Sequence, residues 1–178
     1  MNNIILKILF FLLISFPINS EIKIKPIIDG NSDAKVNIIV FESLTCGHCA
    51  NFHKDIFPKL KNQYIDKGIV SIEFKSFPLD MAALNASKIA HCRNDGNSKI
   101  LHFLFLNQDS WAKGETIDEF NKNLKAVISK KGKFEIDFNK CLNNKIVEDH
   151  ILEDRINAVK KFDVNATPTI IINNKKFD

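Results

Sequence analysis

The segment Cys46-Gly47-His48-Cys49 holds the sequence's most reactive combination of residues. A C-x-x-C pair has three readings: a redox couple, half of a tetrahedral metal site, or a local structural disulfide. Zinc asks for four ligands, often supplied by two such pairs, and this chain has only one. Cys92 and Cys141 stand far from each other, and His48 and His53 leave the ligand set incomplete, so no metal is expected. Position favours redox chemistry. The pair directly follows an apolar, β-branched run and opens a helical one, where unpaired N–H groups and the positive end of the helix dipole stabilise a thiolate. His48, between the cysteines, adds a donor or a positive charge. Cys46 is therefore expected to titrate low and react readily. Each unit of depression is worth about 1.4 kcal/mol, or about 30 mV for a two-electron couple. A stabilised reduced form makes the disulfide the stronger oxidant. Cys49, one turn into the helix, is expected to be buried and less reactive. Glu42, four residues before Cys46, has one reading as a proton relay to Cys49 and a plainer, preferred one as an exposed strand-end carboxylate. His53, His91, His102 and His150 show no partner in sequence and are expected at the surface or at helix caps.

The elements that must hold these residues follow from periodicity. Residues 21–35 read as a short lead-in with a turn at Asp29-Gly30-Asn31-Ser32. Val36 to Phe41 is a strand buried on both faces, as in a parallel sheet. A helix is expected from about His48 to Asp66, with Phe52, Ile56, Leu60 and Gln63/Tyr64 on its inner face and a kink at Pro58. Gly68 ends it, and Ile69 to Phe74 is the next strand, completing a βαβ unit with parallel pairing. From Met81 the β signal disappears. Asn85 to Cys92, Lys99 to Asn107, Thr116 to Ser129 and about Asn143 to Phe162 read as helices, the third opened by the capping box Thr116-Ile117-Asp118-Glu119. Ile170 to Ile172 is a strand, and Asn173-Asn174 turns it into Lys175-Lys176-Phe177. The pattern is an α/β domain carrying a helical insertion.

Composition bounds the function. The chain has 178 residues, 45% hydrophobic and 26% charged, enough apolar surface for one domain with a real core. The 15 Phe residues read as core filling. The net charge of +4 comes from interspersed Lys, Glu and Asp, with no basic block, so nucleic acid is not the expected partner. Residues 1–20 have the layout of a secretory signal: Lys7, an apolar run from Ile8 to Phe16, Pro17, and small Ser20. That run is shorter than the roughly 20 residues needed to span a bilayer. An uncleaved N-terminal anchor is the other reading. Both put the body of the protein outside the cytoplasm, where an even number of cysteines suggests disulfides.

A second motif, Ala166-Thr167-Pro168-Thr169, puts a proline just before a buried strand, where it cannot donate to the ladder. X-Pro bonds are the ones that become cis. Combined with the C-x-x-C on a βαβ unit, it makes the chain resemble the DsbA-like family of the thioredoxin superfamily. The resemblance rests on residues 41–53, on Phe77-Pro78-Leu79, on Gln108 and Trp111, and on Val164 to Thr169, and it covers nearly all of the chain after the signal.

The resemblance implies a thioredoxin-like fold divided as signal (1–20), lead-in (21–35), N-terminal part (36–80), helical insertion (81–142) and C-terminal part with the cis-proline loop (143–178). It implies Cys46 as nucleophile, Cys49 as buried partner and His48 as tuner of Cys46. Thr167 and cis-Pro168 would lie against the disulfide, with the Thr167 backbone pairing with an extended substrate segment. The implied activity is a periplasmic dithiol oxidase, needing no cofactor, that passes its disulfide to exported unfolded proteins with free cysteines. A membrane reoxidant of the DsbB kind would recharge it. A monomer is expected, because the lead-in is too short for a dimerisation domain. Two alternatives stay open: an isomerase or reductant of the same fold, and a non-catalytic peptide-binding chaperone module. Gly47-His48 stands where many relatives have Pro-His, which suggests a milder potential. The fold normally continues past the hairpin into a closing helix, so the C-terminal end at Asp178 reads as truncated. Cys92 and Cys141 are expected to form a structural disulfide, the alternative being two buried free thiols.

Overall fold

A computed structural model describes residues 23–177; the signal segment expected at 1–20 lies outside them. The sheet holds strands β1 (Ile27–Asp29), β2 (Val36–Glu42), β3 (Val70–Ser76), β4 (Thr169–Ile172) and β5 (Lys175–Phe177) in the order β1-β3-β2-β4-β5. β2 and β3 run parallel, and every other pairing is antiparallel. The β2–β3 pair is the expected βαβ unit. The lead-in contains an unexpected strand, β1, which closes one edge. Gly30 ends it at φ +101, where an added Cβ would meet the Val70 carbonyl at 2.6 Å. Only glycine lets the chain turn that closely past β3, and the turn fixes Asp29 at the strand end. At the other edge Asn173 and Asn174 both take positive φ, the hairpin turn that two adjacent asparagines favour.

The alternation along β2 explains why its sequence shows no polar face. Val40, with Ile38 beside it, faces a large core shared with the helical insertion. Phe41, with Ile39 beside it, faces a smaller core with Phe77, Ala158, Val164 and Ile171. Both faces are covered, so both need apolar side chains.

The long helical stretch after β2 alternates in character. It comprises α1 (Gly47–Asn51), a π segment (Phe52–Ile56), α2 (Phe57–Leu60) and a second π segment (Lys61–Ile65). Each π segment adds a residue to a turn and shifts the inner face by one position. The buried series is therefore Phe52, His53, Phe57 and Ile65, while Ile56 is 51% and Tyr64 42% exposed. This corrects the inner face expected from regular three-to-four spacing. Pro58 falls in the first turn of α2, where its missing N–H is tolerated, so the irregularity precedes the proline.

The insertion comprises α3 (Met81–Ala90), α4 (Lys99–Leu106), α5 (Gln108–Trp111), α6 (Ile117–Ala126) and α7 (Phe138–Leu142). The capping box is present at Thr116 and Glu119. α3 packs against α4, α6, α7 and the long helix α8 (Lys145–Phe162), which explains why nearly all its residues are buried. Cys92 and Cys141 are joined by a disulfide, with Cα atoms 5.1 Å apart. Among the described residues, no helix is long and apolar enough to cross a membrane.

Candidate active site

Cys46 is the N-cap of α1, in an extended conformation, and its carbonyl accepts from the Ala50 N–H at 3.1 Å. The cap is a sulfur side chain and makes no capping hydrogen bond of its own. It stays half-buried at the surface. The loop before it is clamped from the insertion: the Gln108 side-chain amide donates to the carbonyls of Leu44 at 2.8 Å and Cys46 at 3.1 Å. Trp111, fully buried, anchors that region by donating from its indole N–H to the Leu104 carbonyl. On the other side, Thr45 donates to Asp80 at 2.7 Å, and Asp80 also caps α3 through the Ala83 N–H.

The Thr167–Pro168 bond is cis. Thr167, in the loop that leads into β4 beside β2, lies against Cys46, and the Cys46 thiol donates to the Thr167 carbonyl at 3.3 Å. The Thr167 hydroxyl is buried and has no hydrogen-bond partner. Thr167 thus faces the sulfur with two groups of opposite effect: the carbonyl suits the thiol, and the hydroxyl is free to donate to the thiolate. Burial pushes the Cys46 thiol up. Hydrogen bonds from the Thr167 side chain, from Cys49 and from the His48 backbone more than offset it, so Cys46 titrates below the ordinary thiol value. Cys49 goes the other way. It is fully buried, and burial, with the nearby Glu42 and Cys46 charges, pushes its thiol well above the ordinary range. Both thiols are free, so the geometry is that of the dithiol form.

The His48 side chain is exposed, and its contribution to Cys46 comes through the backbone N–H. Gly47 is open: an added Cβ would meet nothing within 4 Å. A cavity of about 520 Å³ opens beside this turn, lined by Gly47, His48, Asn51, Lys54, Leu106 and Asp109 among others. Among the described residues, no group of three His, Cys, Asp or Glu side chains is arranged to hold a metal ion.

Other expectations are overturned. Glu42 is 3% exposed instead of lying on the surface, because the C-terminal end of β2 is covered by the active-site helix. Its Oε2 pairs with His53 Nε2 at 2.7 Å. His53 and His91 are buried, at 2% and 5% exposure. His53 Nδ1 meets His102 Nδ1 at 2.7 Å, and His102 Nε2 meets Asp29 at 2.7 Å. His150 stands near Asp154 at 3.7 Å, one turn along α8. No local spacing could have revealed the Glu42–His53–His102–Asp29 chain, since its members come from four different elements. The one hint was a histidine directly after Phe52 on a helix expected to pack inward.

The sequence profile of the thioredoxin family matches residues 23–178. A putative protein-disulfide oxidoreductase of Rickettsia bellii is 28% identical over 89% of this chain, which spans 61% of that relative's length. Disulfide bond formation protein D of Bacillus subtilis is 26% identical over 87% of the chain and 70% of its own length. The crystal structure of Wolbachia pipientis alpha-DsbA1 superposes with a TM-score of 0.74 at 30% identity, covering 86% of this chain and 78% of that one. The profile match over residues 23–178 and the superposition at 30% identity show that this chain belongs to the DsbA-like branch of the thioredoxin family.

Proposed function

We propose that the protein is an exported, periplasmic dithiol oxidase that introduces disulfide bonds into other exported proteins through Cys46 and Cys49. The observation that carries this reading is the asymmetry of the pair. Cys46 is at the surface and held as a better thiolate, while Cys49 is sealed away and held as a thiol. A substrate thiolate attacks Cys46, and Cys49 leaves. A second substrate thiol then attacks the mixed disulfide, and Cys46 leaves as the stabilised thiolate. A good leaving group on the enzyme side drives electrons from substrate to enzyme. Thr167 and Pro168, beside Cys46, bind the extended substrate segment; His48 tunes Cys46 from the exposed side of the turn. The Cys92–Cys141 disulfide braces the insertion that carries Gln108. Cysteine-bearing exported proteins are the substrates, and a DsbB-like membrane protein is the reoxidant. The names of the Rickettsia and Bacillus relatives and the apolar N-terminal segment support this assignment.

The test is the equilibrium potential of the Cys46–Cys49 couple, titrated against glutathione in a Cys92→Ala/Cys141→Ala variant. A potential well above the glutathione poise is expected. A value near that of thioredoxin, about −270 mV, would favour a reductant or isomerase. A pair that glutathione scarcely reduces would turn the site into a structural bridge.

A further inference from the structure

Four titratable side chains form a continuous line through the core. Glu42 Oε2 to His53 Nε2, His53 Nδ1 to His102 Nδ1, and His102 Nε2 to Asp29 Oδ2 are each 2.7 Å. The first pair is sealed, with side chains 2% and 0% exposed; the last is open, at 18% for His102 and 22% for Asp29. The line starts beside Cys49 at the end of β2, passes under Phe74 of β3 and emerges at edge strand β1. Both rings are held in place: His53 stacks on Phe105 at 4.0 Å and His102 on Phe57 at 4.2 Å.

The geometry counts its own protons. Three contacts of hydrogen-bond length need three protons. Two neutral imidazoles between two carboxylates carry only two. With both used toward the carboxylates, two Nδ1 lone pairs would face each other at 2.7 Å, which is repulsive. The line therefore holds one extra proton, as an imidazolium shared by the two rings or as a protonated carboxyl. Its open end is biased toward charge: burial raises the Asp29 carboxyl, but hydrogen bonds from His102 and Ser98 and the charges of His102 and Lys61 outweigh it. The far end has a spare acceptor, because Glu42 Oε1 is buried without any partner.

We propose that Glu42, His53, His102 and Asp29 form a proton wire joining the buried Cys49 sulfur to solvent at the β1 edge of the sheet. The proposal rests on the exchange reaction above. When a substrate thiolate bonds to Cys46 Sγ, the electron pair of the broken S–S bond goes to Cys49 Sγ. Glu42 passes a proton to that thiolate. His53 refills Glu42 after its carboxyl turns over, His102 refills His53, and water at Asp29 refills His102. Reoxidation by a disulfide-bearing partner runs the steps backward: Cys49 gives its proton to Glu42 and attacks Cys46 of the mixed disulfide, and the partner sulfur leaves as thiolate. His53, His102 and Asp29 act through Glu42, as positioning and relay groups. The titratable and charged groups around the line are Cys46 and Cys49 from the active-site helix, Glu42 from β2, His53 and Lys61 from the two π segments, His102 from α4 and Asp29 from β1.

The test mixes the full-length, reduced protein with oxidised glutathione in a stopped-flow instrument, in a Cys92→Ala/Cys141→Ala background. The bimolecular phase reports attack by Cys46, and the unimolecular phase reports release of glutathione by Cys49. Asp29→Asn keeps an acceptor for His102 but cannot carry a proton; His102→Ala opens a gap to solvent. Both variants should leave the bimolecular phase unchanged. They should slow the unimolecular phase by roughly a hundredfold, the lower end of what a positioned proton-transfer group contributes. Its pH profile should move upward, and added imidazole should restore the His102→Ala rate. Unchanged unimolecular rates, or equal slowing of both phases, would overturn the wire. Nitrogen NMR of the wild-type imidazoles near pH 7 supplies a readout independent of variant folding and of turnover. Three ring-bound protons shared by His53 and His102 are expected, or two with a protonated Glu42; two neutral rings with bare Nδ1 atoms and ionised carboxylates would sink the proposal. Absence of any bimolecular phase in the wild type would instead sink the oxidoreductase reading, leaving the NMR result to judge the wire.

Discussion

The two cysteine pairs make an instructive contrast. Cys46 and Cys49 are neighbours on one helical turn, whereas Cys92 and Cys141, 49 residues apart, are brought together by packing of the insertion. The first pair is split in character. One sulfur is at the surface facing a helix start and the cis-proline loop, and the other is buried beside Glu42. In the second pair Cys141 is itself buried, and Cys92 packs against the same core. The difference lies in what surrounds the sulfur. Unpaired N–H donors favour a thiolate and exchange, while apolar packing and a long closed loop favour a permanent bridge.

The largest break in this comparison is Cys46→Ser. It should abolish exchange with glutathione or a dithiol substrate, measured as loss of turnover, while leaving the Cys92–Cys141 bridge and the fold intact. Cys49→Ser should instead trap a stable mixed disulfide on Cys46, visible as added mass under non-reducing conditions. Next comes Cys92→Ala/Cys141→Ala. Opening a loop of about 50 residues should cost roughly 4 kcal/mol by the chain-entropy model. Denaturant unfolding measures this, and the Cys46 alkylation rate should hardly move. Loss of exchange without loss of stability in that variant would erase the distinction between the two pairs.

A third effect concerns the surroundings of the second pair. His91, next to Cys92, titrates at about 4 because burial and then the His150 charge disfavour its cation. Unfolded, it takes up a proton near its ordinary value of about 6.5. Between these values the unfolded chain binds more protons, so stability rises with pH there and falls on acidification. The whole window is worth about 3 kcal/mol. His91→Leu should flatten the pH dependence of the unfolding free energy between pH 6.5 and 4.

Cys46 has the same sign in a more alkaline window. Its folded value is depressed, so the reduced form gains stability as pH rises from that value toward the ordinary thiol range, and the gain is lost below it. The midpoint of iodoacetamide alkylation should lie below the ordinary thiol value. The smallest effect is expected at His48→Ala. The side chain is exposed and the backbone N–H survives, so the midpoint should rise by less than one pH unit, under about 30 mV in potential.

The reactive segment was legible because its chemistry is local. Two cysteines at the start of a helix after a buried strand specify a low-titrating thiol and a buried partner, since helix N-termini and apolar strands are readable within a few residues. The Thr116 capping box, the Asn173-Asn174 turn and the βαβ order were legible for the same reason. The inner face after Cys49 was not, because π segments shift the spacing of buried residues from regular helical intervals to five, from Phe52 to Phe57 and from Leu60 to Ile65.

What the sequence determined by itself is therefore the reactive pair, the elements around it and the kind of chemistry. Tertiary structure alone decided which cross-chain partners each polar group met. It buried Glu42, turned His53 and His102 toward each other and added β1 with Asp29 at the sheet edge. The physical reason is range: dipole, propensity and periodicity act over a few residues, whereas a buried carboxylate or imidazole finds its partner only when distant segments close around it.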